Sequence, residues 1–564
     1  MSKKEKIVIY QTLVRLMGNT NMTRTPNGTI QENGCGKMSD INTYLLRSIK
    51  SLGCNYIWYT GLLQQATKSD YSAYGIPCQN PHVVKGSAGS PYAITDYYAV
   101  SADLANDPSR RMEEFDELME RTHKVGLKVI MDFVPNHVAR EYHSVMAPEG
   151  VRDFGAEDDS NRDFARDNNY YYMPGQGFAP SINLGEGENQ YQEFPARATG
   201  NDCFHPYPSV NDWYETVKLN YGIDYCHGGA YHFNPIPSTW QKMLHILLYW
   251  AEKGVDGFRC DMAHMVPVDF WHWAIEQVKL QYPDVIFIAE IYNPALYRPY
   301  IEYGGFDYLY DKVGLYDTLR SVIECKAPAS DITRCWQSVE GFSDRMLNFL
   351  ENHDEQRIAS DFFAGSPEKA LPALVVSALM RNNPFMLYFG QELGETGMDQ
   401  EGFSGCDGRT TIFDYWALPL MAKWQGSEHK WRKAVLTQQV RKLRDYYAKV
   451  LEIAHTEVVT DGAFYDLTYA NYDNPQFDTN RQFAFFRCHT KEMLLVVANF
   501  DGEAKGVAVN IPQEAWKFAG MKNRRRHVTD LLTGKWDFYN IETDKPFEVK
   551  LPAYGAVVLR IPIR

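Results

Sequence analysis

The feature that most constrains this chain is a recurring unit, a short apolar run of strand character followed by a longer stretch with the helical period. Residues 7–13 read as a strand, 41–52 as a helix and 55–60 as the next strand. Residues 110–125 form a helix with its charges on one face, and 127–134 a third strand. Such alternation makes parallel βαβ units, because a parallel strand needs a crossover of helical length. After a gap the unit returns, with 239–253 and 268–280 as helices and 255–261 and 285–291 as strands. Residues 306–310, 346–350 and 385–389 are further strands, separated by helical stretches such as 370–380. About eight strand-helix pairs is the number that closes a barrel. The expected class is α/β, a (β/α)8 TIM barrel, with a doubly wound open sheet as the alternative.

The alternation fails from about 138 to 236, where the chain is rich in Asp, Asn, Gly and Tyr and has no sustained period. A structureless loop of that length does not suit a compact domain, so an inserted domain after strand three is expected, with the barrel over 1–137 and 237–453. After about 454 the period changes to 2, as in Gln482-Phe-Ala-Phe-Phe-Arg487 and Met493-Leu-Leu-Val-Val-Ala498. Turn-rich Asp501-Gly502 and Thr533-Gly534 punctuate it, predicting a C-terminal antiparallel β-sandwich over 454–564.

The net charge of −14 argues against nucleic acid or an anionic membrane as partner, since both reward clustered Lys and Arg. The N-terminal Met-Ser-Lys-Lys-Glu-Lys lacks a signal-like apolar run, and no later stretch approaches the ~20 apolar residues that span a bilayer. A cytoplasmic protein is expected. The ten cysteines stand singly without a CxxC pair, which speaks against zinc and for reduced thiols. No organic cofactor is expected.

Chemistry concentrates where strands end. Four buried strands finish in ionisable residues: Asp132-Phe-Val-Pro-Asn136-His137, Arg259-Cys-Asp261, Ala289-Glu290-Ile-Tyr292 and Glu351-Asn-His353-Asp354. In a parallel barrel the C-terminal strand ends form one mouth, so the four clusters meet in a cleft. Arg259 and Asp261, two apart on a strand, share a face, and a carboxylate beside a permanent cation is expected to stay ionised well below neutral pH, as a nucleophile requires. Glu290 follows an apolar strand and lies near negative charge, so burial and repulsion favour its protonated form, that of a general acid. Strands four and five are neighbours ~4.8 Å apart. Their carboxyl groups therefore suit the ~5–5.5 Å separation of retaining glycosidases better than the ~6.5–9.5 Å of inverting ones. Asp354, across the mouth, can bind ring hydroxyls and stabilise an oxocarbenium-like transition state, with His137 and His353 as hydrogen-bond donors to the same sugar.

These four segments, in this order and spacing, resemble the four signature regions of the α-amylase family of glycoside hydrolases, family 13. Ser90-Pro-Tyr92-Ala-Ile-Thr-Asp96-Tyr resembles the segment that supplies the family's stacking tyrosine. The resemblance implies Asp261 as nucleophile, Glu290 as acid/base and Asp354 as transition-state stabiliser, with Arg259, His137, His353 and Tyr92 touching the sugar at the cleaved position. His264 and Tyr292, next to the nucleophile and the acid, are further candidate substrate contacts. The chain departs from many amylases in carrying His264-Met265 where they have Lys-His, and Val217-Lys218-Leu-Asn220 resembles neopullulanase-like members. The family often binds Ca²⁺ between barrel and insertion; Asn136 occupies the matching ligand position, with Asp163 and Asp167 as further candidates. Trp416, in the loop 405–416 after strand eight, is a candidate rim aromatic. The expected function is hydrolysis of α-1,4-glucan oligosaccharides through a covalent glycosyl-enzyme. The alternatives are transfer to a sugar acceptor, as in a glucanotransferase or trehalose synthase, and a catalytically inactive carbohydrate-binding or scaffold module.

Overall fold

The computed structural model describes residues 5–397, 402–403, 405–426 and 428–563, so Met1–Lys4 of the N-terminal reading lie outside the described residues. Eight parallel strands close a barrel: β1 Val8–Leu13, β2 Tyr56–Thr60, β3 Lys128–Phe133, β4 Gly257–Cys260, β5 Ile286–Ala289, β6 Tyr308–Tyr310, β7 Met346–Phe349 and β8 Phe385–Tyr388. Neighbours in the barrel follow chain order, with β1 pairing both β2 and β8, which excludes the open-sheet alternative. Ile9, Trp58, Ile130, Ile288, Leu347 and Phe349 fill the interior, while Val8, Tyr10, Ile57 and Val129 turn outward into the layer of helices. The two-residue period of each strand thus serves two cores at once.

The connecting helices begin and end on local signals. Asn42 caps Thr43–Ser51 by accepting the N–H groups of Tyr44 and Leu45. Gly126, at φ 81°, closes Arg111–Val125 in the left-handed conformation a residue with a Cβ disfavours. The strands are shorter than the expected runs, because the ladder ends where the chain turns toward the mouth. Asp261 lies one residue beyond β4, although its N–H still bonds the Phe133 carbonyl at 2.9 Å.

One antiparallel pair lies outside the simple alternation expected up to Pro135. Leu63–Gln65 pairs with Ile94–Val100 in the long segment after β2, and both are wholly buried. This ribbon seats the turn that carries Tyr92.

The inserted region after β3 leaves and re-enters the barrel through another ribbon, His137–Ala139 against Thr216–Lys218. Its regular structure is sparse, and it is held by an aromatic cluster that includes Tyr171, Phe178, Tyr191 and Tyr214. A buried triad adds to this, with Glu193 within 2.8 Å of Arg140 and 2.7 Å of Arg197. The C-terminal region has a six-stranded antiparallel sheet and a two-stranded one, Lys505–Val509 with Phe547–Leu551. Phe486, Leu495 and Val497 of the larger sheet share a core with Val507, Val509 and Val549 of the smaller, so the two layers form the expected sandwich. The opposite face of the larger sheet, through Leu494, Val496 and Val558, joins the barrel's outer core.

Gly257 opens β4 in close contact with both neighbouring strands: a Cβ there would come within 2.6 Å of Ile286 Cγ1 and 3.3 Å of Ile130 Cγ1. Gly257→Val is expected to cost about 1–3 kcal/mol through overpacking. Urea unfolding of the variant checks this, and an unchanged midpoint would contradict the packing account.

Candidate active site

The site is assembled around one buried cation. Arg259, on β4 and 1% exposed, lies in register with Asp132 of β3 and Ile288 of β5. Its Nη1 donates to Asp261 Oδ1 at 2.7 Å and lies 3.5 Å from Asp132 Oδ1, while Nη2 forms a 2.8 Å ion pair with Glu290 Oε1. Its Nε donates to the Tyr310 hydroxyl at 3.2 Å, and the rings of Trp58 and Tyr92 each lie 5.3 Å from the guanidinium carbon. A buried charge persists only where such partners offset its lost hydration. Asp132 is fixed in turn by Trp58 Nε1 at 3.0 Å and the Gly61 N–H at 3.4 Å. Burial raises Asp132 to about 7 against the pull of Arg259.

The three expected carboxyl groups converge. Burial raises the pKa of Asp261 above its usual range, with Arg259 pulling the other way. Desolvation of this enclosed carboxyl outweighs the arginine, an effect that the expectation from the Arg259–Asp261 pairing alone did not include. Glu290 is raised by burial and by Asp261, again against Arg259. The two Nη atoms of Arg259 hold the two carboxyl groups side by side, close enough for the charge on Asp261 to raise Glu290.

Asp354, just past β7, has 40% of its side chain open to solvent and lies 3.2 Å from His353 Nε2. Burial against the cleft wall and the charges of Glu290 and Asp261 push it up to about 8, a rise that water in the open cleft partly screens. Arg409 Nε donates to the Asp354 carbonyl at 2.6 Å, which gives the Asp407-Gly408-Arg409 segment a buttressing role.

A cavity of about 510 Å³ opens over these groups. Of the expected residues, Tyr92, His137, Asp261, Glu290, Tyr292, His353 and Asp354 line it. His353 Nδ1 accepts from Gln11 Nε2 at 2.8 Å, which leaves Nε2 as the protonated nitrogen, 2.6 Å from the Tyr92 hydroxyl. Burial lowers His353 well below its usual pKa, and burial with Lys218 nearby lowers His137 to about 3. Both imidazoles are therefore neutral hydrogen-bonding groups at physiological pH.

Three expected contacts fall elsewhere. Arg259 is absent from the cavity lining, its guanidinium engaged by Asp261 and Glu290. His264 is half-buried and absent from the cavity lining, with its ring edge-on to Tyr292 at 6.5 Å. Trp416 is 2% exposed and packs in the barrel's outer core, where burying a large ring outweighs displaying it.

The wall also contains residues without a sequence signal. Lys85 forms a buried 3.0 Å ion pair with Glu215, Trp213 packs against His137 at 5.2 Å, and Ile412 with Phe413 adds an apolar side. All come from long connections with no period to read. Lys312 and Val313 come from a single π-helical turn, Lys312–Tyr316, after β6.

The residues around Asn136 do not fit a calcium ion. The Asn136 side-chain oxygen accepts from the ammonium of Lys218, which also lies 2.7 Å from Asp202 and 3.2 Å from the Met265 carbonyl. A cation supplied by the chain itself thus fills the oxygen cage, and a divalent ion could not approach it without severe repulsion. Asp163 and Asp167 turn to His227 and Arg166 instead. Among the described residues no group of three or more His, Cys, Asp or Glu side chains is arranged to hold a metal, and no helix is long and apolar enough to cross a membrane.

With the geometry in hand, the family model described as alpha amylase, catalytic domain, matches residues 27–448. The chain is 24% identical over 400 residues to α-amylase MalA of Haloarcula japonica, a match covering 70% of this chain and 45% of that one. It is 23% identical over 266 residues to an α-1,4-glucan:maltose-1-phosphate maltosyltransferase of Picrophilus torridus, covering 46% of this chain and 31% of the relative. The match thus spans less than half the length of either relative. Among solved structures, the maltogenic α-amylase AmyB of Thermotoga neapolitana superposes with a TM-score of 0.60 at 19% identity, covering 99% of both chains.

Two outcomes follow from the lysine-filled cage. EDTA is expected to leave the thermal midpoint of the protein unchanged. Lys218→Met, which strands the Asn136 oxygen, should lower stability by about 1–3 kcal/mol. Calorimetry with and without chelator checks both, and a chelator-induced drop in midpoint would contradict the lysine's role.

Proposed function

The chain belongs to the α-amylase family, and from that membership we propose that it is a retaining α-glycoside hydrolase acting on α-1,4-linked glucan oligosaccharides. The observation that carries the reading is the pair Asp261 and Glu290, at the ends of adjacent strands, both bound to Arg259 and both facing a cavity of about 510 Å³. In the first step Asp261 attacks the anomeric carbon while the bond to the leaving oxygen breaks and takes the Glu290 proton. A glycosyl ester on Asp261 results. In the second step Glu290, now ionised, removes a proton from water, whose oxygen attacks the anomeric carbon and frees Asp261. Two inversions give net retention.

The surrounding groups support each step. Arg259 lies within ion-pair distance of both acids, so it offsets the charge that moves between them as the proton leaves. Asp354 and neutral His353 face the ring from the far side. The proton that Asp354 carries near neutrality is released most readily when positive charge develops on the sugar, which places its stabilisation in the transition state. Tyr92, stacked on His353 at 5.4 Å, offers a ring face to the same sugar.

A second reading keeps this chemistry and replaces water with a sugar acceptor, as in a glucanotransferase or trehalose synthase. It is favoured by the similarity to a maltosyltransferase and by the apolar Val313, Ile412 and Phe413 beside the acids, which disfavour ordered water. An inactive binding module is disfavoured because all three carboxyl groups are present and convergent.

Glu290→Gln and Asp261→Asn are each expected to lower kcat on maltoheptaose by at least about 10²-fold, the lower end of general acid/base contributions. Near-normal turnover in either variant would sink the assignment. Early NMR spectra of the products should show the α-anomer. Products longer than the donor, formed with an added acceptor sugar, would favour the transfer reading.

A further inference from the structure

Glu290 is gripped by two groups to which the proposed chemistry gives no part. Its Oε1 accepts from the Tyr292 hydroxyl at 2.5 Å, and its Oε2 accepts from the backbone N–H of Met262 at 2.9 Å. That N–H reaches the carboxyl because Met262 stands in the left-handed region, at φ 43° and ψ 44°, directly after Asp261. This conformation is uncommon for a residue with a Cβ and persists where neighbours over-determine it. Here they do. The Asp261 N–H bonds Phe133 on β3 at 2.9 Å, and the Ala263 N–H bonds the Glu290 carbonyl beyond β5 at 3.1 Å, so the chain is pinned on both sides of Met262.

We propose that Tyr292 and the left-handed main chain of Met262 form a clamp that orients the Glu290 carboxyl, making Tyr292 a positioning residue for the acid/base rather than a contact to the sugar. The inference rests on the hydrolase reading above. With Oε1 taken by the Arg259 ion pair and the Tyr292 hydroxyl, the transferable proton resides on Oε2, and the carboxyl cannot rotate to exchange the two oxygens without losing two hydrogen bonds and an ion pair. The clamp thus selects which oxygen faces the leaving group.

Both clamp donors favour the ionised glutamate, so they moderate the rise that burial imposes. The other groups facing Glu290 are Arg259 and Asp261 at β4, Tyr310 on β6, Asp354 beyond β7 and His137 on the insertion ribbon. Tyr292→Phe leaves all of these in place and removes one hydrogen bond to the charged form. The alkaline limb of kcat/KM, which reports the acid in the free enzyme, should therefore move to higher pH.

The test compares two donors, maltoheptaose, whose leaving group needs a proton, and α-maltosyl fluoride, whose leaving group departs without one. For Tyr292→Phe, kcat/KM on maltoheptaose is expected to fall about tenfold with the alkaline limb raised, while kcat/KM on the fluoride, which reports only the glycosylation step, stays within about twofold of wild type. Met262→Val, whose branched side chain disfavours the left-handed conformation, should shift the limb in the same direction, and Met262→Gly less so. A raised KM with equal losses on both donors would make Tyr292 a substrate contact and overturn the clamp, as would an unmoved limb. A wild-type protein inert toward both donors would overturn the hydrolase reading and this inference with it.

Discussion

The cleft depends on one guanidinium held where water cannot reach it. Arg259 could not remain charged in the barrel without counter-charges, and the three carboxyl groups of Asp132, Asp261 and Glu290 could not gather so closely without the cation. Each side of that exchange makes the other tolerable. The result is a set of interacting acids, with burial raising each pKa and the arginine limiting the rise. A surface cluster of the same residues would be screened and would titrate in the ordinary carboxylate range.

The same principle operates at the join between barrel and insertion. Lys218 is an ammonium built into the chain and aimed at Asn136, Asp202 and the Met265 carbonyl, so it ties the insertion ribbon to the loop after β4. His137 begins the partner strand of that ribbon, and Lys218 contributes to keeping its imidazole neutral. The strap and the wall of the cleft are therefore one construction, in which a side chain replaces an ion that would have to be recruited from solution.

The fold and the acids were legible because both follow from short-range rules. An apolar run of strand length followed by an amphipathic helix can pack stably in few ways, and eight such units close a barrel whose strand ends share one mouth. Asp261, Glu290 and Asp354 could be placed together on that ground alone. The contact assignments were less secure. Arg259 shares a face with Asp261 as expected, but it lies outside the cavity lining. Position in the chain likewise says nothing of whether His264 lines the cavity, or whether Trp416 displays its ring or buries it.

The sequence by itself determined the order of strands and helices, the convergence of three carboxyl groups, and the insertion and sandwich that flank the barrel. Periodicity and strand parity are local, and they constrain each segment before any distant contact forms. Only the tertiary structure decided that burial would outweigh the arginine at Asp261, that a lysine would fill the cage at Asn136, and that Lys85, Trp213 and Phe413 would wall the cleft. Desolvation and ion pairing depend on which groups from distant segments come within a few ångströms, and long connections without a period give no local sign of where they will lie.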